Sequence, residues 1–236
     1  MITLFLMPNC ALATDKQQKQ LIETYYEDMT GDGVKEKIEL FGVRFAKDTT
    51  YYKDIFITIT SHTKEWKINY GGGYSPQLEF IDINHDHIND ILFQSDPGGS
   101  GVLRNTRIST LKHGEVQDIP LPSQHVTGVF KDHFQIELRI TPLKPKIIDI
   151  SHHKADYIRL DIYNKEEKLL KRNMIPLIDP TTYFKPIPIS KEKGFGLKSL
   201  QQINGAYQAD YLGTVETLWY FENESWVILK TGWKAK

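Results

Sequence analysis

Short apolar runs with a period of two dominate this sequence. Ile55, Ile57 and Ile59 alternate with Phe56, Thr58 and Thr60, and Trp66, Ile68 and Tyr70 share a face. Phe134, Ile136, Leu138 and Ile140 share another, with Gln135, Glu137 and Arg139 opposite. Ile38-Glu39-Leu40 and Val43-Arg44-Phe45 alternate, and Ile158, Leu160 and Ile162 repeat the pattern. Only an extended chain sends every second side chain to one face. Gly, Asn, Asp and Pro separate the runs, and β-branched and aromatic residues fill them. The expected class is therefore all-β with antiparallel strands, as a sandwich, barrel or propeller. Near the C-terminus, Leu218-Trp219-Tyr220-Phe221 and Trp226-Val227-Ile228-Leu229 flank Asn223-Glu224-Ser225, a hairpin signal.

Three segments depart from that period. Residues 14–27 are polar, with Leu21, Ile22, Tyr25 and Tyr26 spaced as on a short helix or arm. Residues 171–194 carry Pro176, Pro180, Pro186 and Pro188. Proline cannot donate to a strand ladder, so this stretch reads as a loop, an edge or a linker. A helix-like stretch runs from Leu197 to Ile203. The expected organisation is a β region over 14–125, a second over 126–194 that ends in the proline-rich connection, and a C-terminal β unit over 195–236.

Two acidic loops carry the only motif with a defined chemistry. Asp28, Thr30, Asp32 and Glu36 stand at positions 1, 3, 5 and 9 of the first, and Asp82, Asn84, Asp86 and Asp90 at the same positions of the second. Calcium is a hard ion that takes six to eight oxygen ligands, and a tight loop with oxygens at alternate positions can aim them at one point. The backbone carbonyls of Val34 and Ile88 at position 7 complete each candidate set. Position 6 must turn sharply; Gly33 suits a positive φ and His87 suits it less well. Strands, not helices, are expected after both loops, which separates them from EF-hands. The competing reading is that Asp and Asn make Asx-turns between strands.

These loops resemble the calcium loop of FG-GAP/VCBS repeats, the blade unit of integrin-α-type propellers. Gly71-Gly72-Gly73-Tyr74-Ser75 precedes the second loop's incoming strand, and Asp96-Pro97-Gly98-Gly99-Ser100-Gly101 follows its outgoing one. Gln202, Ile203, Gly205, Tyr207, Ala209, Asp210, Gly213, Val215, Trp219 and Trp226 extend the resemblance. It implies a partial or small β-propeller-like array of antiparallel strands with calcium loops, a β-sandwich being the alternative. It also implies an exported or spore-coat-associated protein of endospore-forming Gram-positive bacteria.

Residues 1–13 read as a signal peptide: the apolar run from Met1 to Met7 leads to Ala11-Leu12-Ala13, a small-x-small cleavage pattern. Cys10, the one cysteine, lies inside that segment, so the mature chain would hold no thiol nucleophile and no cysteine–zinc site. The net charge of −1 and the absence of a basic block argue against nucleic-acid binding. No later stretch is long and apolar enough to span a bilayer as a helix.

Other chemistry is weaker. Gly98-Gly99-Ser100-Gly101 is not a nucleophile elbow. His85 and His87 alternate with the candidate ligands and are expected in solvent, and His152-His153 reads as a surface pair. Trp66, Trp219, Trp226 and Trp233 read as core residues before they read as a sugar platform. The expected function is a non-enzymatic, calcium-stabilised structural or adhesion protein, secreted or of the cell envelope or spore coat, with proteins of those layers as partners. The alternative is a carbohydrate-binding or cell-wall glycan-hydrolysing β-protein.

Overall fold

The computed structural model describes residues 19–99, 104–111 and 114–236. The expected signal segment with Cys10, and Ser100 of the glycine-rich run, lie outside the described residues. The described chain is all-β and antiparallel, with one short α-helix, α1 (Lys154–Arg159), preceded by a 3₁₀ turn over Ser151–His153. No helix among the described residues is long and apolar enough to cross a membrane.

The first sheet is a seven-stranded meander in chain order: β1 (Lys19–Glu27), β2 (Glu36–Arg44), β3 (Tyr52–Thr60), β4 (Glu65–Ile81), β5 (Asp90–Asp96), β6 (Asn105–Thr110) and β7 (Gln117–Ile119). The period-two residues set its register. Ile38 stands opposite Ile59, which stands opposite Trp66; Leu40, Ile57 and Ile68 form the next row. Such cross-strand rows of β-branched and aromatic side chains stabilise a sheet through contact on one buried face. The long strand β4 serves two partners, pairing with β3 through its first half and with β5 through its second. Its register against β3 shifts between Asn69 and Gly71, whose φ of 79° lies in the left-handed region.

A three-stranded sheet follows, with β9 (Gln135–Ile140) between β8 (Val126–Lys131) and β10 (Lys146–Asp149). Phe134, Ile136, Leu138 and Ile140 are all buried, as their alternation predicts. The third sheet holds β11 (Leu177–Ile178), β12 (Tyr183–Ser190), β13 (Gly194–Asn204), β14 (Tyr211–Glu222) and β15 (Ser225–Ala235). The predicted hairpin joins β14 to β15. Glu222 pairs with Ser225, and Asn223 and Glu224 between them have φ of 50° and 60°, the backbone of a type I′ turn.

Leu92, Ile108 and Ile119 of the first sheet pack on Phe184, Leu197, Trp219 and Phe221 of the third. Ile91 and Phe93 face a separate core beneath the first sheet, so β5 is covered on both faces. Val126, Leu138 and Ile140 meet Ile203 and Val215, which fastens the small sheet to the third as well.

Three local expectations are corrected. Residues 19–27 are a strand, not a helix: a bulge between Leu21 and Glu23 breaks the alternation, burying Ile22 and Tyr25 against the core and leaving Leu21 and Tyr26 exposed. Leu197–Ile203 is strand as well. Its inward positions Leu197, Ser199, Gln201 and Ile203 are all buried, and the two polar ones hide the period. Ser199 accepts a hydrogen bond from Trp219 Nε1 at 2.8 Å, and Gln201 Nε2 donates to the Asp179 carbonyl at 2.9 Å. Conversely, Ile158, Leu160 and Ile162 lie on α1 and the turn after it, with Tyr157 and Ile162 buried and Asp161 at φ 52°. The proline-rich stretch does form an edge: Pro186 and Pro188 sit in β12, whose one sheet partner among the described residues is β13.

Candidate functional site

The two acidic loops are the same object built twice. Each joins neighbouring antiparallel strands, 28–35 between β1 and β2 and 82–89 between β4 and β5. Each has left-handed backbone at positions 4 and 6: Gly31 (φ 76°) and Gly33 (φ 85°) in one, His85 (φ 64°) and His87 (φ 70°) in the other. The sharp turn demanded of position 6 is thus made by His87 as it is by Gly33. Histidine is among the non-glycine residues that accept this region, at a cost.

The carboxylates close the loops. Asp28 Oδ1 and Oδ2 accept the N–H groups of Gly31 (2.7 Å) and Gly33 (2.8 Å). Asp82 does the same for Asp86 (3.2 Å) and His87 (3.0 Å). At position 5, Asp32 accepts from Val34 N–H (2.8 Å) and Asp86 from Ile88 N–H (3.1 Å). At position 9, Glu36 accepts the Met29 N–H at 2.8 Å, and Asp90 accepts those of Ile83 (2.9 Å) and Asn84 (3.1 Å). Met29 and Ile83, at position 2, are fully buried, so each loop drives an apolar plug into a core and a buried carboxylate satisfies the N–H beside it. Thr30 Oγ1 reaches Glu36 at 3.4 Å, and Asn84 Nδ2 reaches Asp90 at 3.3 Å. Burial pushes the Asp90 carboxyl up to about 6, more than its hydrogen bonds hold it down.

The structure brings the loops side by side, with Ile88 of the second lying against Gly31 of the first. Their donor set is all oxygen, which suits a hard cation. Their arrangement is less suited: the six carboxylates are turned to backbone N–H groups of their own loops, and no three acidic or histidine side chains converge as a metal cage among the described residues.

His87 is exposed as expected, but His85 is not in solvent. Its ring stacks on Tyr220 of β14, with centroids 4.5 Å apart and planes at 20°, and its Nε2 is buried. Burial lowers its pKa. The second loop is therefore also a clamp between the first and third sheets.

A second polar cluster escaped the sequence reading. Asp210 is fully buried; its carboxylate takes His153 Nδ1 at 2.7 Å, the Ala206 N–H at 2.9 Å and the Tyr157 hydroxyl. Burial first, then the hydrogen bond to Asp210 and that carboxylate's charge, raises the Tyr157 phenol far above its ordinary value. Gly205 packs so tightly on Asp210 and Tyr157 that a Cβ has no room. This cluster ties α1 to the β13–β14 turn. His153 is thus half-buried and fixed, and only its neighbour His152 is a surface residue. An isolated His-His pair carries no signal of a carboxylate 57 positions away. The four tryptophans pack against the cores, as expected.

Residues 124–234 match the family model described as YybI C-terminal domain. A Bacillus subtilis (strain 168) relative described as uncharacterized protein YybI is 25% identical over 209 residues, covering 81% of this chain and 76% of the relative. No solved structure matches. The FG-GAP/VCBS resemblance does not hold: the family match is a different one, and it includes the stretch 126–195, which carries none of the quoted motifs. Acids at positions 1, 5 and 9 are what capping an eight-residue strand connection requires, so the spacing does not single out that family.

Proposed function

We propose that this chain is a non-enzymatic, exported structural or adhesion protein of the cell envelope, or alternatively of the spore coat, with a sandwich-like stacking of its first and third sheets. The observation that supports the reading is how its acidic groups are used. All six carboxylates of the two acidic loops brace backbone, and the buried Asp210 braces a helix. A glycan hydrolase instead needs two carboxylates free to face a sugar across a groove. The cleft of about 440 Å³ that Asp118 and Glu224 line has one of its two acids committed, since Arg107 Nε (2.8 Å) and Ser109 Oγ (3.1 Å) both bond to Asp118. The outermost strands β1 and β15 both carry bulges, which blunt edge-to-edge aggregation in a protein held at high local concentration.

Calcium is the accompanying part of the proposal, and donor chemistry alone supports it. An ion at either loop would neutralise carboxylates that repel one another and would stabilise the folded state by mass action. Fractionation of the producing cells during growth and sporulation tests the compartment; recovery in the wall, medium or coat layers is expected, and recovery in soluble cytosol overturns the reading. Melting in calcium and in excess EGTA tests the ion, and superimposable curves remove it.

A further inference from the structure

We infer that a cleft between the first and third sheets binds a small oxyanion, a carboxylate or phosphate group held by Arg104 and Arg107 with the Tyr70 and Thr181 hydroxyls beside it. The cleft encloses about 520 Å³ and is lined from one side by β4, β5 and β6 and from the other by Thr181 and Phe184. Gln94 Nε2 donates to the Phe184 carbonyl at 2.8 Å and holds the two walls together. Two hydroxyls in its lining, Tyr70 Oη and Thr181 Oγ1, are buried with no hydrogen-bond partner among the described residues. Buried polar groups are nearly always satisfied, so a pair left open in one cavity marks the place of a group that completes them.

The geometry selects the charge of that group. Both guanidiniums line the cleft and, among the described residues, no carboxylate does. Arg104 Nε pairs with Asp96 at 3.3 Å, and Arg107 uses Nε for Asp118 and one terminal nitrogen for the Asn69 carbonyl at 2.8 Å. Each guanidinium has five N–H donors, so both retain some for a ligand. Asp96 and Asp118 are about half exposed, where water screens them, and at Tyr70 the Arg107 charge outweighs that of Asp118. Tyr70 is immobilised by stacking on Phe93, with centroids 3.8 Å apart and planes at 3°, and by Arg107 over its ring. Burial keeps its phenol protonated, and therefore able to donate, well past physiological pH. An excess of fixed donors calls for an acceptor-rich ligand.

The test is calorimetric titration of the full chain with sodium phosphate and with sodium succinate, against sodium chloride at matched ionic strength and N-acetylglucosamine as a neutral polyol. Saturable binding of phosphate or succinate is expected, and the arm that binds names the ligand. Arg104→Gln should weaken it about tenfold, the scale of one charge-assisted hydrogen bond. Tyr70→Phe should weaken it about threefold or more while leaving the melting temperature of the free protein unchanged or higher, because an unpartnered hydroxyl contributes no bond to lose. Binding no greater than in chloride, affinity undiminished in both variants, or binding of N-acetylglucosamine alone overturns the inference.

Discussion

Ile88 of the second acidic loop lies against Gly31 of the first, so closely that a Cβ on Gly31 would stand 2.7 Å from Ile88 Cδ1. The contact makes one unit of two turns that lie far apart in the chain. Gly31 also has φ 76°, so alanine there meets a backbone penalty and a clash. Gly31→Ala should lower stability by about 2 kcal/mol. The double variant with Ile88→Ala should show less than the sum of the two single losses, because the clash disappears while the backbone strain remains. Urea denaturation of the four proteins measures this coupling, and strict additivity would mean that the loops do not touch.

The equivalence of the loops makes a paired prediction about their histidines. His87 is exposed at the position that Gly33 occupies in the other loop, and both adopt left-handed backbone. His87→Gly relieves strain without loss of a contact and should stabilise by about 0.5–1 kcal/mol. His85→Gly relieves the same strain but removes the ring stacked on Tyr220, and should destabilise. Opposite signs in thermal melts of the two variants are the expected result; equal signs would show that the stack contributes nothing.

Much of the fold was legible because strand rows such as Ile38, Ile59 and Trp66 follow directly from alternation. It failed where a tertiary partner pays for a broken pattern. Ser199 accepts its bond from Trp219 and Gln201 gives its Nε2 to Asp179 at these inward positions, and neither partner is visible in the local sequence. The acidic loops were legible as loops, and the competing Asx-turn reading accounts for the forward bonds of Asp28, Asp32, Asp82 and Asp86 but not for the bonds that Glu36 and Asp90 make back across the loop. The spacing of Asp28, Asp32 and Glu36 is common to capping and to cation binding, so residue types alone do not separate the two. His85 was misplaced because its partner Tyr220 comes from a strand on another sheet.

Alkaline pH should unfold the protein through its buried phenols. Tyr163 donates to the Lys131 carbonyl at 2.6 Å, and burial pushes its pKa up to about 12; burial also raises Tyr25, Tyr70 and Tyr157. A raised folded-state value means that the folded chain keeps a proton the unfolded chain releases near pH 10. The stabilisation is fully present below pH 10 and is lost as pH rises toward 12. Absorbance at 295 nm should show part of the 12 tyrosines ionising only together with the loss of β-sheet circular dichroism. A titration in which all phenols ionise before any unfolding would contradict these burials.

Asp90 separates capping from cation binding. Its carboxylate is fully buried, accepts the Ile83 and Asn84 N–H groups, and has its pKa raised from 3.8 to about 6 by burial. In chelator, the folded chain holds this proton between pH 4 and 6 while the unfolded chain has released it. The contribution of Asp90 is therefore present below about pH 4 and lost as pH rises through 6, up to about 3 kcal/mol. Asp90→Asn keeps an oxygen for the Ile83 N–H and removes the charge, so in EGTA the variant should gain on the wild type from pH 4 to 7. If calcium occupies the loop, the order reverses at neutral pH in calcium, because the ion needs the carboxylate that the variant lacks. Melting temperatures of both proteins at pH 4.5 and 7.5, with calcium and with EGTA, decide it. A variant that gains on the wild type equally in both media leaves Asp90 as a backbone cap alone, whereas one that loses stability in EGTA at pH 7.5 would show that the buried charge is not the liability its burial implies.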